Sequence, residues 1–258
     1  MLIPFTKMQA QGNDFVILEL MQNTHSQLDL PALAIDVCQR CKGVGADGLV
    51  LLLGDPDCDA RMAIINSDGS AAAMCGSALR CCAWLLHGLL GKAELRVNTD
   101  SGIKAAVVGN AGVEVNLGAP RLVGAGIEVL ETSGTLVDVG NLHYVAFGDV
   151  QAGQEAVLGP LIEAHPRFPG RVNVQFARVV SRSELELRIW EKGAGATQAC
   201  GTGAVASVFA GIQMGGLDTE VQVRMPGGEV RVCSLENGEY ILQGSVEEVF
   251  TGVYRWKI

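Results

Sequence analysis

Two cysteines carry the chemistry this sequence offers. Residues 73–80 read Ala-Met-Cys-Gly-Ser-Ala-Leu-Arg, and residues 199–206 read Ala-Cys-Gly-Thr-Gly-Ala-Val-Ala. In both, a Cys precedes two small residues at the start of a helix-like stretch. The first-turn N–H groups of a helix are unpaired and its N-terminal end is positive. Such a position stabilises a thiolate, drawing a cysteine from a pKa of about 8.5 toward neutrality. The N–H groups of Gly76, Ser77, Gly201 and Thr202 can also hold a carboxylate, and small residues let it approach the backbone. Sulfurs on the two sides of one α-carbon suit inversion at that centre. One thiolate removes the α-proton and the opposite thiol delivers another. The two must differ in protonation, and a neighbouring carboxylate disfavours a second negative charge. Glu191 and His143 are the candidates for keeping one sulfur protonated.

The elements that must position these cysteines also come in pairs. Cys75 and Cys200 are 125 residues apart, and so are Asn66 and Glu191, each ending a strand-like run. Further upstream, Gly12-Asn13 and Gly140-Asn141 each open another apolar run. This order, met twice, reads as a duplication at the scale of a domain. After each Cys the period turns helical: Leu79, Cys82, Ala83, Leu86 and Leu90 form one stripe, and Val205, Val208, Phe209 and Ile212 form the other. Glycines at 88 and 91, and at 211, 215 and 216, suggest where the helices stop. Strand patterns cover 49–53, 94–99, 104–108, 113–117, 172–180, 220–225 and 229–233, with alternation at 113–117 and 221–225. The expected fold is α+β with two pseudo-symmetric lobes. Each is an antiparallel or mixed, barrel-like sheet wrapped round a central helix, with the active site in the cleft between them. Lobe 1–119 would carry Cys75 and lobe 120–258 would carry Cys200, with a link near 118–126. The last strand is free to pair back onto the first lobe.

With 258 residues, 48% of them hydrophobic, the chain can bury a sizeable core. Its net charge of −9 disfavours nucleic acid and anionic membrane as partners, while a local basic site for a small acid remains open. No apolar run reaches the roughly 18 residues of a membrane span. The first seven residues lack a basic-then-apolar order, so no secretory leader is expected. The eight cysteines are then reduced thiols of a cytoplasmic protein. Cys38, Cys41, Cys58, Cys81, Cys82 and Cys233 read most simply as small buried hydrophobes. Cys38 and Cys41 form a C-x-x-C, but no second pair at zinc-ligand spacing follows.

At these motifs the chain resembles the diaminopimelate epimerase family, over nearly its whole length. The segments are 5–15, 43–48, 66–70 with 74–76, Gly140-Asn141 with His143, Asn173, and 190–193 with 199–203. The resemblance implies a cofactor-independent isomerase that interconverts LL- and meso-diaminopimelate, in lysine and peptidoglycan-precursor biosynthesis. It implies Cys75 and Cys200 as the acid/base pair, with His143 and Glu191 tuning them. It further implies substrate contacts from Asn13, Asn66, Asn141, Asn173, Glu191 and Lys192 and from the backbone of Gly76, Ser77, Gly201 and Thr202. No metal or other cofactor is implied; the partner is a small amino acid, and a homodimer is left open. The chain departs from the family pattern at Lys192, where Arg is usual, which keeps the charge but loses the bidentate fork. Other departures are Ser77-Ala78 for Asn-Gly, Leu142 for Pro, Gln175 and Ala196 where Glu is common, and Gly48 where some members have Gln. A related two-cysteine racemase for another amino acid is the first alternative. A pyridoxal-phosphate racemase would need a Schiff-base Lys and a phosphate cup. A non-catalytic metal or redox module built on the cysteines is the third. Plainer roles also exist: turn residues for Asn13 and Asn141, a solvated pair for Glu191-Lys192, a core histidine for His143. The loop at 43–48 lacks the Lys-Ser/Thr ending of a phosphate loop.

Overall fold

The computed structural model describes residues 1–22, 28–149 and 151–256. The chain divides into two units, one of residues 1–115 with 245–258, the other of residues 116–244. The first unit contains β1 (Leu2–Ala10), β2 (Asn13–Leu20), α1 (Leu30–Val37), β3 (Gly48–Leu53), β4 (Ala60–Asn66) and the short β5 (Ala71–Ala72). It continues with α2 (Gly76–Leu90), β6 (Glu94–Thr99), β7 (Gly102–Gly109), the start of β8 (Gly112–Gly118) and the chain's last strand, β18 (Glu247–Arg255). Strand order is β18-β1-β2-β3-β4-β6-β7-β8, antiparallel throughout except at β2–β3 and β4–β6. Parallel neighbours need a crossover, usually a helix. Here α1 bridges the first parallel pair and α2 the second.

The second unit holds β9 (Arg121–Val129), β10 (Thr132–Asp138), β11 (Leu142–Phe147), α3 (Gln154–Glu163), β12 (Asn173–Ser181), β13 (Glu184–Glu191) and β14 (Gly195–Ala196). After them come α4 (Gly201–Gln213), β15 (Glu220–Met225), β16 (Gly228–Ser234) and β17 (Tyr240–Gly244). Its order is β9-β10-β11-β12-β13-β15-β16-β17, and the parallel pairs, β11–β12 and β13–β15, fall at the same places. One topology is thus built twice. The edge strand differs in origin: β9 directly precedes β10, whereas the corresponding strand of the first unit is β18, from the far end of the chain. The stretch read from sequence as a link is largely β9, which pairs with β10 from Thr132↔Val129 onward.

Each unit buries one helix deeply. In α2, Leu79, Cys82, Ala83 and Leu86 are fully buried, and the stripe ends at Leu90, which is exposed. Gly91 closes this helix with φ 69°, a left-handed cap that a side chain would strain. In α4, Val205 and Val208 are fully buried, and Phe209 packs edge-on against Tyr240 with ring centroids 6.0 Å apart. The second helix of each unit escaped the sequence reading. Helix α3 carries Gly159 and Pro160, both poor helix formers. Among the described residues no helix is long and apolar enough to cross a membrane. Cysteine burial divides: Cys38, Cys81 and Cys82 are buried, Cys58 and Cys233 are partly so, and Cys41 lies exposed. Cys41 follows the end of α1 in an open loop, where apolar residues have no core to join.

Candidate active site

Cys75 is the residue before α2 and Cys200 the residue before α4, both extended, at φ −144° and −141°. Neither makes a side-chain capping bond. Gly76 and Ser77 form the first turn after one sulfur, Gly201 and Thr202 the first turn after the other, and all four are buried. The helices leave those first-turn N–H groups without intrahelical partners. The Ser77 hydroxyl is also buried with no hydrogen-bond partner among the described residues.

Asn13 opens β2 beside Cys75. Its Nδ2 donates to the Asp47 carboxylate at 2.7 Å, which turns its Oδ1 toward the sulfur, 3.6 Å away. Asp47 is paired with Arg40, which also holds Asp14 together with Lys7. Asn66 ends β4, and its Nδ2 donates to the Ser70 hydroxyl at 3.0 Å. Gly48 pairs with both Phe15 and Asn66, so it stands between those two strand ends.

The second unit repeats this plan with different residues. At the position of Gly48 stands Asn173, which pairs with His143. Its Nδ2 donates to the Leu142 carbonyl, and its Oδ1 accepts the backbone N–H of Lys192 at 3.0 Å. Glu191 ends β13 where Asn66 ends β4, and its carboxylate accepts from the Thr197 hydroxyl at 2.7 Å. The Lys192 side chain is exposed and pairs with no carboxylate among the described residues.

The sequence alone has each helix end acidifying its thiol, with Glu191 or His143 keeping one sulfur protonated. At Cys200 the protonating influence prevails, and burial is its largest part. Burial pushes its thiol well above the usual range, and the hydrogen-bonded Glu191 carboxylate pushes further. The Thr202 hydroxyl and the Gly203 N–H pull the other way and lose. Cys200 is only 5% exposed, and withdrawal from water outweighs a helix end. His143 reaches this sulfur only through intermediaries. Its Nε2 faces Asn141 Oδ1 at 2.9 Å, Asn141 Nδ2 donates to Thr202 Oγ1 at 3.4 Å, and Thr202 lies 3.6 Å from Cys200 Sγ. Its Nδ1 faces Gln175 at 3.0 Å, and complete burial lowers its pKa to about 4, so the ring is neutral.

Three residues outside the sequence reading shape these groups. Asp47 fixes which face of the Asn13 amide meets Cys75. Glu163, buried at the end of α3, accepts from Trp190 Nε1 at 2.7 Å and from the Gly193 N–H at 2.9 Å. It therefore pins the chain on both sides of Glu191-Lys192. Arg80 is buried in α2 behind Cys75. Its signal was in plain view, a single charge inside an apolar helical stripe. The Trp190 anchor has a measurable dependence on Gly159: a Cβ there would meet Trp190 Cγ and lie 2.6 Å from Trp190 Cβ. Gly159→Ala is expected to cost about 1–3 kcal/mol by overpacking. The melting temperature should fall by about 2–4 °C for each kcal/mol; an unchanged Tm in a thermal melt would contradict this packing.

A family model described as diaminopimelate epimerase matches residues 5–123 and 135–249. The chain is 40% identical to a diaminopimelate epimerase of Pelotomaculum thermopropionicum over 277 residues, covering 98% of this chain and 99% of that one. It is 42% identical to the diaminopimelate epimerase of Desulforudis audaxviator, covering 96% and 98%. Among solved structures, a PhzF-family phenazine biosynthesis protein of Bacillus anthracis has the same fold, with TM-score 0.76 at 16% identity over 98% of this chain and 99% of that one. A hydroxyproline epimerase of Agrobacterium vitis, with bound trans-4-hydroxy-L-proline, superposes with TM-score 0.71 at 15% identity, covering 98% and 92%.

Proposed function

The chain belongs to the diaminopimelate epimerase family, and from that premise we propose that it inverts the α-carbon of LL-diaminopimelate to the meso isomer, and back, with Cys75 and Cys200 as the two acid/base groups. The observation that carries the reading is the repeated placement of a cysteine immediately before a buried helix, in two units of one topology. The α-proton passes to one sulfur as thiolate, and the other sulfur, as thiol, returns a proton to the opposite face. Cys200, held protonated by burial and by Glu191, suits the donor's part. Negative charge then grows on the substrate carboxylate. First-turn N–H groups at Gly76, Ser77, Gly201 and Thr202 are suited to stabilise it. The unpartnered Ser77 hydroxyl offers one more donor. Asn13, Asn66, Asn141 and Asn173 would orient the α-amino group and the distal end. Glu191 and the uncommitted Lys192 ammonium would meet the distal ammonium and carboxylate. His143, neutral and buried, would act by holding Asn141 against Thr202.

The test is incubation of the purified, reduced protein with LL-diaminopimelate in deuterated water, followed by chiral chromatography and mass spectrometry. The expected product is the meso isomer carrying one deuterium at the inverted centre. Inversion without deuterium uptake would overturn the thiol mechanism. Turnover confined to amino acids with one carboxylate would overturn the substrate.

A further inference from the structure

Arg80 is 1% exposed, and a guanidinium withdrawn from water is costly unless a negative charge answers it. Its hydrogen-bond partners are neutral. Nη2 donates to Gln11 Oε1 at 2.7 Å and Nε to the Gly76 carbonyl at 3.4 Å, while Nη1, also buried, has no partner among the described residues. Gln11 is itself fixed, in a turn at φ 49° with its Nε2 donating to Ser245 at 3.1 Å. Among the described residues no carboxylate pairs with Arg80. Burial draws its pKa down to about 10, so it remains a cation at neutral pH, and Cys81 and Cys75 are the groups whose negative forms favour that cation. Burial pushes Cys81 up to about 12 and Cys82 well above the usual thiol range, so both stay neutral thiols. Cys75, only partly buried and at the positive end of the helix, is the one of the three sulfurs that keeps contact with water.

The internal repeat sharpens the contrast. The helix position of Arg80 is occupied in α4 by Val205, fully buried and apolar. The strand end that presents Glu191 in the second unit presents neutral Asn66 in the first. One helix therefore carries a buried cation without a carboxylate. The other carries a carboxylate at its sulfur and an apolar residue where that cation would be.

We propose that Arg80 is the built-in counter-charge that holds Cys75 as a thiolate in the resting protein, while Cys200 rests as the thiol. Arg80 is then a positioning residue for the acid/base pair, and the assignment rests on the two-thiol reading above. The contact with Asn13 opposes it: Asn13 Oδ1, 3.6 Å from the sulfur, accepts from an S–H. The groups behind Asn13 (Asp47, Arg40, Asp14 and Lys7) carry two charges of each sign and add no net charge. A neutral amide dipole is the weaker influence beside a full charge in a dry surrounding.

The experiment is alkylation of the full-length reduced protein by iodoacetamide across pH, with the Cys75 and Cys200 peptides quantified separately by mass spectrometry. In the wild type, Cys75 is expected to react with a midpoint below that of Cys200. Arg80→Met should raise the Cys75 midpoint by about one unit or more, leaving about tenfold less thiolate at neutral pH. The Cys200 midpoint should not move, and Arg80→Lys should restore the original Cys75 profile. An unchanged Cys75 profile in folded Arg80→Met, or a wild type in which Cys200 ionises first, would overturn the proposal. If the methionine variant does not fold, Arg80→Gln, which keeps a donor without the charge, should show the same rise in the Cys75 midpoint, and an unchanged profile there would equally overturn the proposal. Since no turnover is read, failure here leaves epimerisation by two thiols standing. A protein that titrates as expected but epimerises nothing would sink that reading instead.

Discussion

Alanine at Cys75 or at Cys200 is expected to abolish epimerisation, with kcat down by at least the 10²–10⁴-fold typical of losing a positioned acid or base. Both side chains are small, and each sits before a helix without capping it, so the fold should survive. Cys200 is the more buried, and its replacement removes only one sulfur atom from a site lined by small residues. Isotope exchange separates a lost catalyst from a damaged protein. A variant that keeps one sulfur can still remove and return the α-proton on one face. It should therefore wash solvent deuterium into a single stereoisomer without inverting it. Near wild-type inversion by either variant, measured by chiral chromatography, would refute the assignment of that cysteine.

The second largest effect is expected at Lys192, on substrate choice rather than on proton transfer. Its backbone N–H is tied to Asn173 Oδ1 at 3.0 Å, and Glu163 grips the residues on either side of the Glu191-Lys192 pair. The backbone is thus fixed while the ammonium extends, exposed, with no carboxylate bound to it among the described residues. A charge-assisted contact is worth roughly 1.5–3 kcal/mol, about ten- to a hundredfold in kcat/KM. Lys192→Met should lose about that factor with diaminopimelate. Lys192→Arg should keep the activity, since a guanidinium meets a carboxylate at least as well. The alkylation profiles of Cys75 and Cys200 should be unchanged in both. A methionine variant with wild-type kcat/KM for diaminopimelate would remove Lys192 from the distal site.

Much of this protein was written locally. The duplicated order of Gly-Asn, strand end and Cys-Gly could be read because each piece is a short-range pattern. Small residues after a sulfur, a 3.6-residue stripe and two-residue alternation all express themselves within ten or fifteen positions. Strands at 94–99 and 220–225 coincide with β6 and β15 to the residue for the same reason. The entry of each cysteine into its helix, at Gly76 and at Gly201, was equally legible.

Other features depend on residues far apart in the chain, and there only the tertiary structure decides. Strand β18 joins β1 across nearly the full length of the sequence, from Leu2↔Arg255 to Gln9↔Glu247, and no local pattern encodes a partner so distant. Helix α3 needs Gly159 because Trp190 fills the space a side chain would occupy. The charge states at the sulfurs were the least legible of all. A helix start predicts an acidic thiol, yet at Cys200 burial and Glu191 reverse the sign. Desolvation depends on everything that packs around a group, whereas a helix end depends only on the residues that follow it. The sequence could therefore place the two sulfurs and name Glu191 as a candidate for keeping one protonated, and only packing could show which sulfur that is and that burial is the larger cause.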